Sequence, residues 1–328
     1  MRAAIHPKGE RGAAMILVLG LVSIMSAAAV FSFDSLSRLV QRNIVEQNAA
    51  QARHYALAAE QLGIAELSKT ITDDLNFGQI TARRLNTYDY NLEAATIRVH
   101  AEDISNCFNV NALVSGTALK GHDANADNMN QFAMFLQQYG LGAEAAFAIS
   151  AAIADWQDSD TAPLPRGAEA RFYANSDAAH RTPDAPMRSL GELRLIRDMS
   201  PSLLEQLAGV ICINQHSREN RINVTTLAPH HAGLVEALLQ GRISRSVLEM
   251  QLEKNSLGYF ATAGDFFNRT ASDGRVIPTN LREKFVAYPS LIRLTIDSTY
   301  LDAKLRLVTD VHFNSNGTYA IVSRKFGA

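Results

Sequence analysis

The sequence carries almost no net charge: 31 lysines and arginines against 33 aspartates and glutamates leave −2 at pH 7. Without a basic excess there is no electrostatic case for nucleic acid as a partner. Aromatic residues make up 7% of the chain, with a single tryptophan, which is ordinary for a globular region. The short signatures of several enzyme classes are missing as well. There is no His-Glu-x-x-His, no Gly-x-Ser-x-Gly and no phosphate loop, and Gly140-Leu141-Gly142 is only the front half of a dinucleotide fingerprint. The paired His230 and His231 have no second ligand cluster nearby in the sequence, so a surface helix cap accounts for them better than a metal. Cysteine is scarce too, and Cys107 and Cys212 leave a choice between one disulfide and two buried free thiols. Cys107 as a nucleophile would need a positioned histidine, and nothing local supplies one.

Charge is absent altogether from Ala13 to Phe33 (AAMILVLGLVSIMSAAAVFSF), and this run is about long enough to cross a bilayer as a helix. Arg2, Lys8 and Arg11 precede it, so the positive-inside bias keeps the N-terminus cytoplasmic and sends everything after Asp34 outward. Two processing readings follow. A secretory signal peptide would be cut near Ala27-Ala28-Ala29; cleavage after Gly12 would leave the apolar helix on the mature chain. From Asp34 to about Thr70 there is no proline, and Leu36, Val40 and Ile44, then Tyr55, Ala59 and Leu62, recur at helical spacing. The apolar segment therefore runs without a break into an amphipathic helix, which favours the second reading.

A short basic leader ending in glycine, an apolar helix starting at once and a long amphipathic continuation resemble the N-terminus of type IV pilins and pseudopilins. The resemblance implies that a prepilin peptidase cuts after Gly12 and methylates Ala13. Most members have glutamate at the fifth mature position, generally taken to pair with the terminal amine of a neighbouring subunit; Leu17 stands there in this sequence. A carboxylate in lipid is costly without such a partner, so a subunit lacking it needs no neighbour above it. The missing glutamate and the large size single out the minor pseudopilin K of type II secretion.

About 250 residues follow the helix, enough for one large or two small domains. Thr96–Ala101, Ser290–Asp297, Ala303–Phe313 and Thr318–Phe326 alternate like strands, with a turn at Asn316-Gly317. Between the first of these and the rest lie the helical patterns Met129–Tyr139, Ala143–Trp156, Ser189–Arg197, Pro201–Ile211 and Gly233–Asn255. The expected class is α+β: a long N-terminal transmembrane helix, a small antiparallel sheet and a large inserted helical domain, as in the K pseudopilins. The expected division is a leader at 1–12, the helix at 13–70, a pseudopilin domain at 71–111 with 288–328, and an insertion at 112–287. Cys107 and Cys212 both fall in the exported part, where a bridge closing so long a loop adds roughly 4 to 5 kcal/mol in the chain-entropy model and often less in practice.

A weak repeat lies within the insertion. Phe108–Leu113 (FNVNAL) is echoed by Ile222–Leu227 (INVTTL), and asparagine in such a place fits helix capping and Asx-turns. In the K family this element opens each of two subdomains resembling a sterile alpha motif. The best chemical constellation is Asp155-Trp156-Gln157-Asp158-Ser159-Asp160, followed by Glu169 and by Phe172-Tyr173. Carboxylates so close together repel one another unless a hard cation sits among them, and calcium suits flexible oxygen coordination. The alternative is a solvated acidic loop with Asp155 capping or turning the chain. The stretch resembles the acidic signature around the K family's calcium sites, which makes Asp158, Asp160 and Glu169 the principal candidate ligands and Asp155 and Asp184 secondary ones. Asp123–Asp127 copies the start of an EF-hand loop but has Asn128 for the turn glycine and Met134 for the bidentate glutamate, so it reads as a polar loop leading into a helix.

The resemblance implies a non-enzymatic, single-pass inner-membrane subunit with its C-terminal domain in the periplasm, at the tip of the pseudopilus, helping to start assembly. Its implied partners are the minor pseudopilins I and J, with H, the major pseudopilin, the prepilin peptidase and the inner-membrane assembly platform. Two alternatives stay open: a tip minor pilin of a type IV pilus, and a soluble periplasmic hydrolase released at Ala29 that uses the carboxylates around Asp158, among which Asp155 and Glu169 could form an acid–base pair.

Overall fold

The protein is described here by a computed structural model covering residues 10–73, 87–175, 179–257, 259–271 and 274–327; most of the expected leader, residues 1–9, lies outside this range. A single helix runs from Glu10 to Asp73. Its apolar first half packs against nothing else among the described residues: Met15, Leu17, Ile24, Phe31 and Phe33 are all exposed, Leu17 by 71%. So long an apolar surface is far larger than a soluble monomer tolerates, and its length and composition suit a membrane span.

The second half of the helix changes character. Ala52, Ala56 and Ala59 line one face, and with Ile64 and Ile71 they are buried against a sheet. The small side chains let helix and sheet approach closely. Five antiparallel strands form that sheet, and their order in space follows the chain: Thr87–Asn91, Ala95–Asp103, Leu291–Tyr300, Ala303–Phe313 and Tyr319–Gly327. Thr87–Asn91 is exposed at every position, so it carries no alternating apolar signal, and sequence periodicity does not reveal it. Ala95–Asp103 does alternate: Ile97, Val99 and Ala101 join Ile292, Leu294, Ile296, Leu307, Val311 and Phe313 in one core beneath the helix. On the other face, charges of alternating sign cross the strands in register, Asp89 to Arg98 to Asp297 to Arg306. Glu102, Arg293 and Asp310 repeat the pattern. Opposite charges side by side favour this register.

Two contacts fix the helix on the sheet. Glu60, fully buried, accepts two hydrogen bonds from the Arg324 guanidinium (3.0 and 2.7 Å) and one from the Thr309 hydroxyl. The turn at Asn316-Gly317 reaches the end of the helix, where Ser68 Oγ donates to Gly317 O (2.8 Å). Gly317 has φ +77°, and a Cβ there would lie 2.4 Å from Thr72 Oγ1.

Residues 104–290 leave the sheet at one strand and return to its immediate neighbour. They form short helices around a single core that runs from Phe108 to Phe285. The excursion has two parts closed in the same way. Phe108-Asn109 pairs in parallel with Ile211-Cys212, and Ile222-Asn223 pairs in parallel with Phe285-Val286. The first part contains the helices Ala126–Gln137, Ala143–Gln157, Ala170–Ala174 and Pro201–Leu207. The second contains Ala232–Leu238, Arg245–Leu252, Ala263–Thr270 and Thr279–Arg282. The single helical pattern expected over Gly233–Asn255 is broken in two because Gln240 and Gly241 both adopt positive φ, which ends a helix. Ser189–Arg197 forms only a 3-10 turn, Leu190–Leu195. The EF-hand-like stretch becomes a strand end and a helix cap: Asn125 Oδ1 accepts from Asn128 N–H (3.1 Å) and opens Ala126–Gln137.

Candidate functional site

The alanine-rich helix Ala143–Gln157 is buried over most of its length, which carries its C-terminal residues into the interior. Asp155 is fully buried there, and its carboxylate accepts Leu164 N–H (3.1 and 3.3 Å). The loop must pass very close: a Cβ at Gly167 would lie 2.0 Å from Asp155 Oδ2, so only glycine fits. Asp158 ends the helix, and its N–H donates to Ala154 O (2.9 Å). Glu169 begins the next helix, its Oε2 accepting from Ala170 N–H (3.2 Å). Neighbouring Ser159 is tied to the hairpin before the first helix: Ser159 N–H donates to His122 O (2.9 Å) and its hydroxyl accepts from His122 N–H (2.8 Å).

This loop brings together three of the residues singled out in the sequence. Carboxylate oxygens of Asp158, Asp160 and Glu169 lie within 4.8 Å of one another. Asp158 and Glu169 are buried and Asp160 is exposed. Asp155 stands outside that trio, tied to the loop backbone. Asp184 is exposed, on a bend with φ +48°, and its charge is felt at both Asp158 and Glu169.

The carboxylates of this loop are held close together in a largely buried place. Burial, then repulsion from Asp155, Asp160, Glu169 and Asp184, pushes Asp158 up to about 7. Burial raises Asp155 to about 6 despite its backbone partners, and Glu169 is raised chiefly by burial as well. Asp158 Oδ1 and Glu169 Oε1 are buried with no hydrogen-bond partner among the described residues. Buried oxygens are normally satisfied, so the two orphans mark a place where a cation fits. The donor set is all oxygen and all acidic, which suits a hard divalent ion. In the same segment Trp156, the only tryptophan, meets Tyr173 edge-on with centroids 5.5 Å apart.

Beside this site lies the double asparagine element, which holds the two halves of the insertion together. Asn109 Oδ1 accepts from Asn111 N–H (3.2 Å) and Asn214 N–H (3.1 Å), and Asn223 Oδ1 accepts from Thr225 N–H (3.2 Å). The two elements also clasp each other. Asn109 N–H donates to Asn220 Oδ1 and Asn223 N–H donates to Asn106 Oδ1, both at 2.8 Å. Asn106 and Asn220 each sit three residues before the repeat's first asparagine, a spacing the sequence contains but whose reciprocity only the structure reveals. A disulfide joins Cys107 to Cys212 beside the clasp, with Cα atoms 5.7 Å apart. His231 caps a turn, its Nδ1 accepting from Ala228 N–H (3.0 Å).

Residues 106–216, the first half of the insertion with both cysteines and the acidic loop, match the family model for type II secretion system (T2SS) protein K. Curated relatives extend the likeness along the chain. Type II secretion system protein K of Klebsiella pneumoniae is 27% identical over 271 residues, 80% of each chain. The protein K of Aeromonas hydrophila is 30% identical over 244 residues, 71% of this chain and 72% of the relative. In fold, the chain is similar to one in the crystal structure of the GspK-GspI-GspJ complex from enterotoxigenic Escherichia coli. The TM-score is 0.69 at 18% identity, covering 88% of this chain and 99% of that one.

Proposed function

Because the chain belongs to the type II secretion system protein K family, we propose that it is the minor pseudopilin at the tip of a periplasmic pseudopilus, where it starts assembly and supports protein secretion. In this reading the prepilin peptidase cuts after Gly12 and methylates Ala13, and the helix anchors the subunit as a single pass in the Gram-negative inner membrane. The C-terminal domain stands in the periplasm. Its neighbours are the I and J pseudopilins, as in the solved complex its fold resembles, with H, the major pseudopilin and the assembly platform below.

The observation that carries the tip position is Leu17. At the fifth mature position it is apolar and exposed on the helix, so the subunit brings no intramembrane carboxylate that requires an amine from a subunit above. The bulky insertion at the other end fits the same place, since a cap needs no surface for a further copy to stack on. We further read the two closed halves of the insertion as the sterile-alpha-motif-like pair. Asp158, Asp160 and Glu169 would hold calcium as a structural ion, the charge it supplies offsetting their repulsion. The hydrolase alternative needs a carboxylate pair open to substrate, whereas Asp158 and Glu169 are buried and Asp155 is sealed under Gly167 and Leu164.

Intact mass of the membrane-extracted protein tests the reading, from cells with an active prepilin peptidase and the other pseudopilins. A chain beginning at methylated Ala13 that co-purifies with the I and J subunits is the expected result. A chain cut after Ala29 and free in the periplasm overturns it.

A further inference from the structure

A polar cavity of about 340 Å³ opens where the insertion meets the sheet. Its wall comes from both parts: His216, Arg218, Glu219 and Arg221 from the segment joining the two helical halves, and Tyr288 and His312 from the sheet side. The lining charges are two guanidiniums and one carboxylate, and the carboxylate is already engaged. Arg221 Nε and Nη2 donate to Glu219 Oε2 (2.9 and 2.6 Å), and Nη1 donates to Tyr288 Oη (3.2 Å).

Arg218 has no such partner among the described residues. Its Nη1 makes three long contacts, all to main-chain carbonyls, at Asn214 O (3.4 Å), Gln215 O (3.3 Å) and Ser217 O (3.5 Å). Its Nε is buried with no acceptor. Burial lowers its pKa from the usual guanidinium value. A partly buried guanidinium that faces no carboxylate is costly. An anion that accepts from its fork offsets that cost.

We infer that this cavity is a binding site for a compact oxyanion such as sulfate or phosphate, with Arg218 as the principal donor and Arg221 as the second. The ligand would bridge the insertion and the sheet, because His312 and Tyr288 belong to one wall and Arg218 to the other.

Calorimetric titration of sodium sulfate into the full chain in detergent micelles tests this, with calcium fixed and sodium chloride holding ionic strength constant. Saturable binding is expected in the unaltered protein. Arg218→Gln should weaken it about tenfold, the effect of losing one charge-assisted pair. Glu219→Gln frees Arg221 and should tighten it. Absence of saturable binding, or an affinity that neither substitution changes, overturns the site. Should Arg218→Gln fail to fold, Glu219→Gln decides alone: an affinity equal to or weaker than that of the unaltered protein overturns it.

Discussion

The sheet with its helix and the inserted helical region are built by different means. In the sheet, alternating apolar residues meet the alanine face of one long helix, and the ladder fixes the register of every strand. Polar groups enter that core chiefly at one point, Glu60 with Arg324 and Thr309. The insertion has helices of four to fifteen residues and no long ladder. It is held by a disulfide, a reciprocal asparagine clasp and a loop folded around carboxylates. Short helices are marginal alone, so polar and covalent staples take the place of repetitive packing. The insertion should therefore respond to oxidation state and divalent ions, and the sheet should not.

The largest expected effect breaks the sheet side. Glu60→Ala removes a fully buried carboxylate with its hydrogen bonds to Arg324 and leaves the buried Thr309 hydroxyl without its acceptor, a loss of about 3 kcal/mol. Thermal unfolding followed by circular dichroism would measure it. Fluorescence of Trp156, which lies wholly within the insertion, should stay native below the transition. Replacing both partners, Glu60→Leu with Arg324→Leu, should recover most of the stability, since an apolar pair strands no charge. Equal stability of the single and double variants would show that the pair is not what holds the helix down.

The next effect breaks the insertion. Cys107→Ser with Cys212→Ser removes a bridge spanning the first helical half and is expected to cost about 2–4 kcal/mol. The loss should appear in Trp156 fluorescence before it appears in the sheet. A single cooperative transition shifted equally for both probes would mean that the two regions unfold as one unit and that their different construction has no energetic consequence.

Much of this contrast is legible in the sequence, for physical reasons that differ between elements. Ala95–Asp103, Leu291–Tyr300 and much of Ala303–Phe313 alternate because one face is buried, whereas the edge strand Tyr319–Gly327 buries no residue; Asn316-Gly317 marks its turn because Gly317 takes a positive φ there. Thr87–Asn91 is not legible, since an edge strand exposed on both faces has no reason to alternate. The acidic trio announces itself by local density of charge, although Asp155 belongs to the same run and lies outside the trio. What marks it off is a contact, the closeness of Gly167, which no spacing encodes. The asparagine clasp is half legible. Asn109 and Asn223 stand out as a repeat, whereas Asn106 and Asn220 gain their role only when two segments over a hundred residues apart exchange acceptors.

The smallest of the three effects sharpens the comparison, because it touches the insertion alone and changes sign with the ion. A bound cation that the unfolded chain does not hold adds about 2.7 kcal/mol at a hundredfold excess over its dissociation constant. A chelator should therefore lower the melting temperature read from Trp156, and Asp158→Asn should abolish most of that difference. Without the ion, pH acts in a definite direction. Asp158 lies at about 7 and Asp155 at about 6 in the folded protein, against about 3.9 in an unfolded chain. Between about pH 4 and pH 7 the folded state thus binds more protons than the unfolded state, and stability falls as pH rises through that window. The chelated protein should melt higher at pH 5 than at pH 7.5, relative to Asp158→Asn, in which the steeper part of the dependence is gone. Calcium should reverse the slope, because the ion must displace those protons and binds best when they are absent. Identical pH profiles with calcium and with chelator would mean that the carboxylates take up protons and no ion, leaving the clasp and the disulfide as the only staples of the insertion.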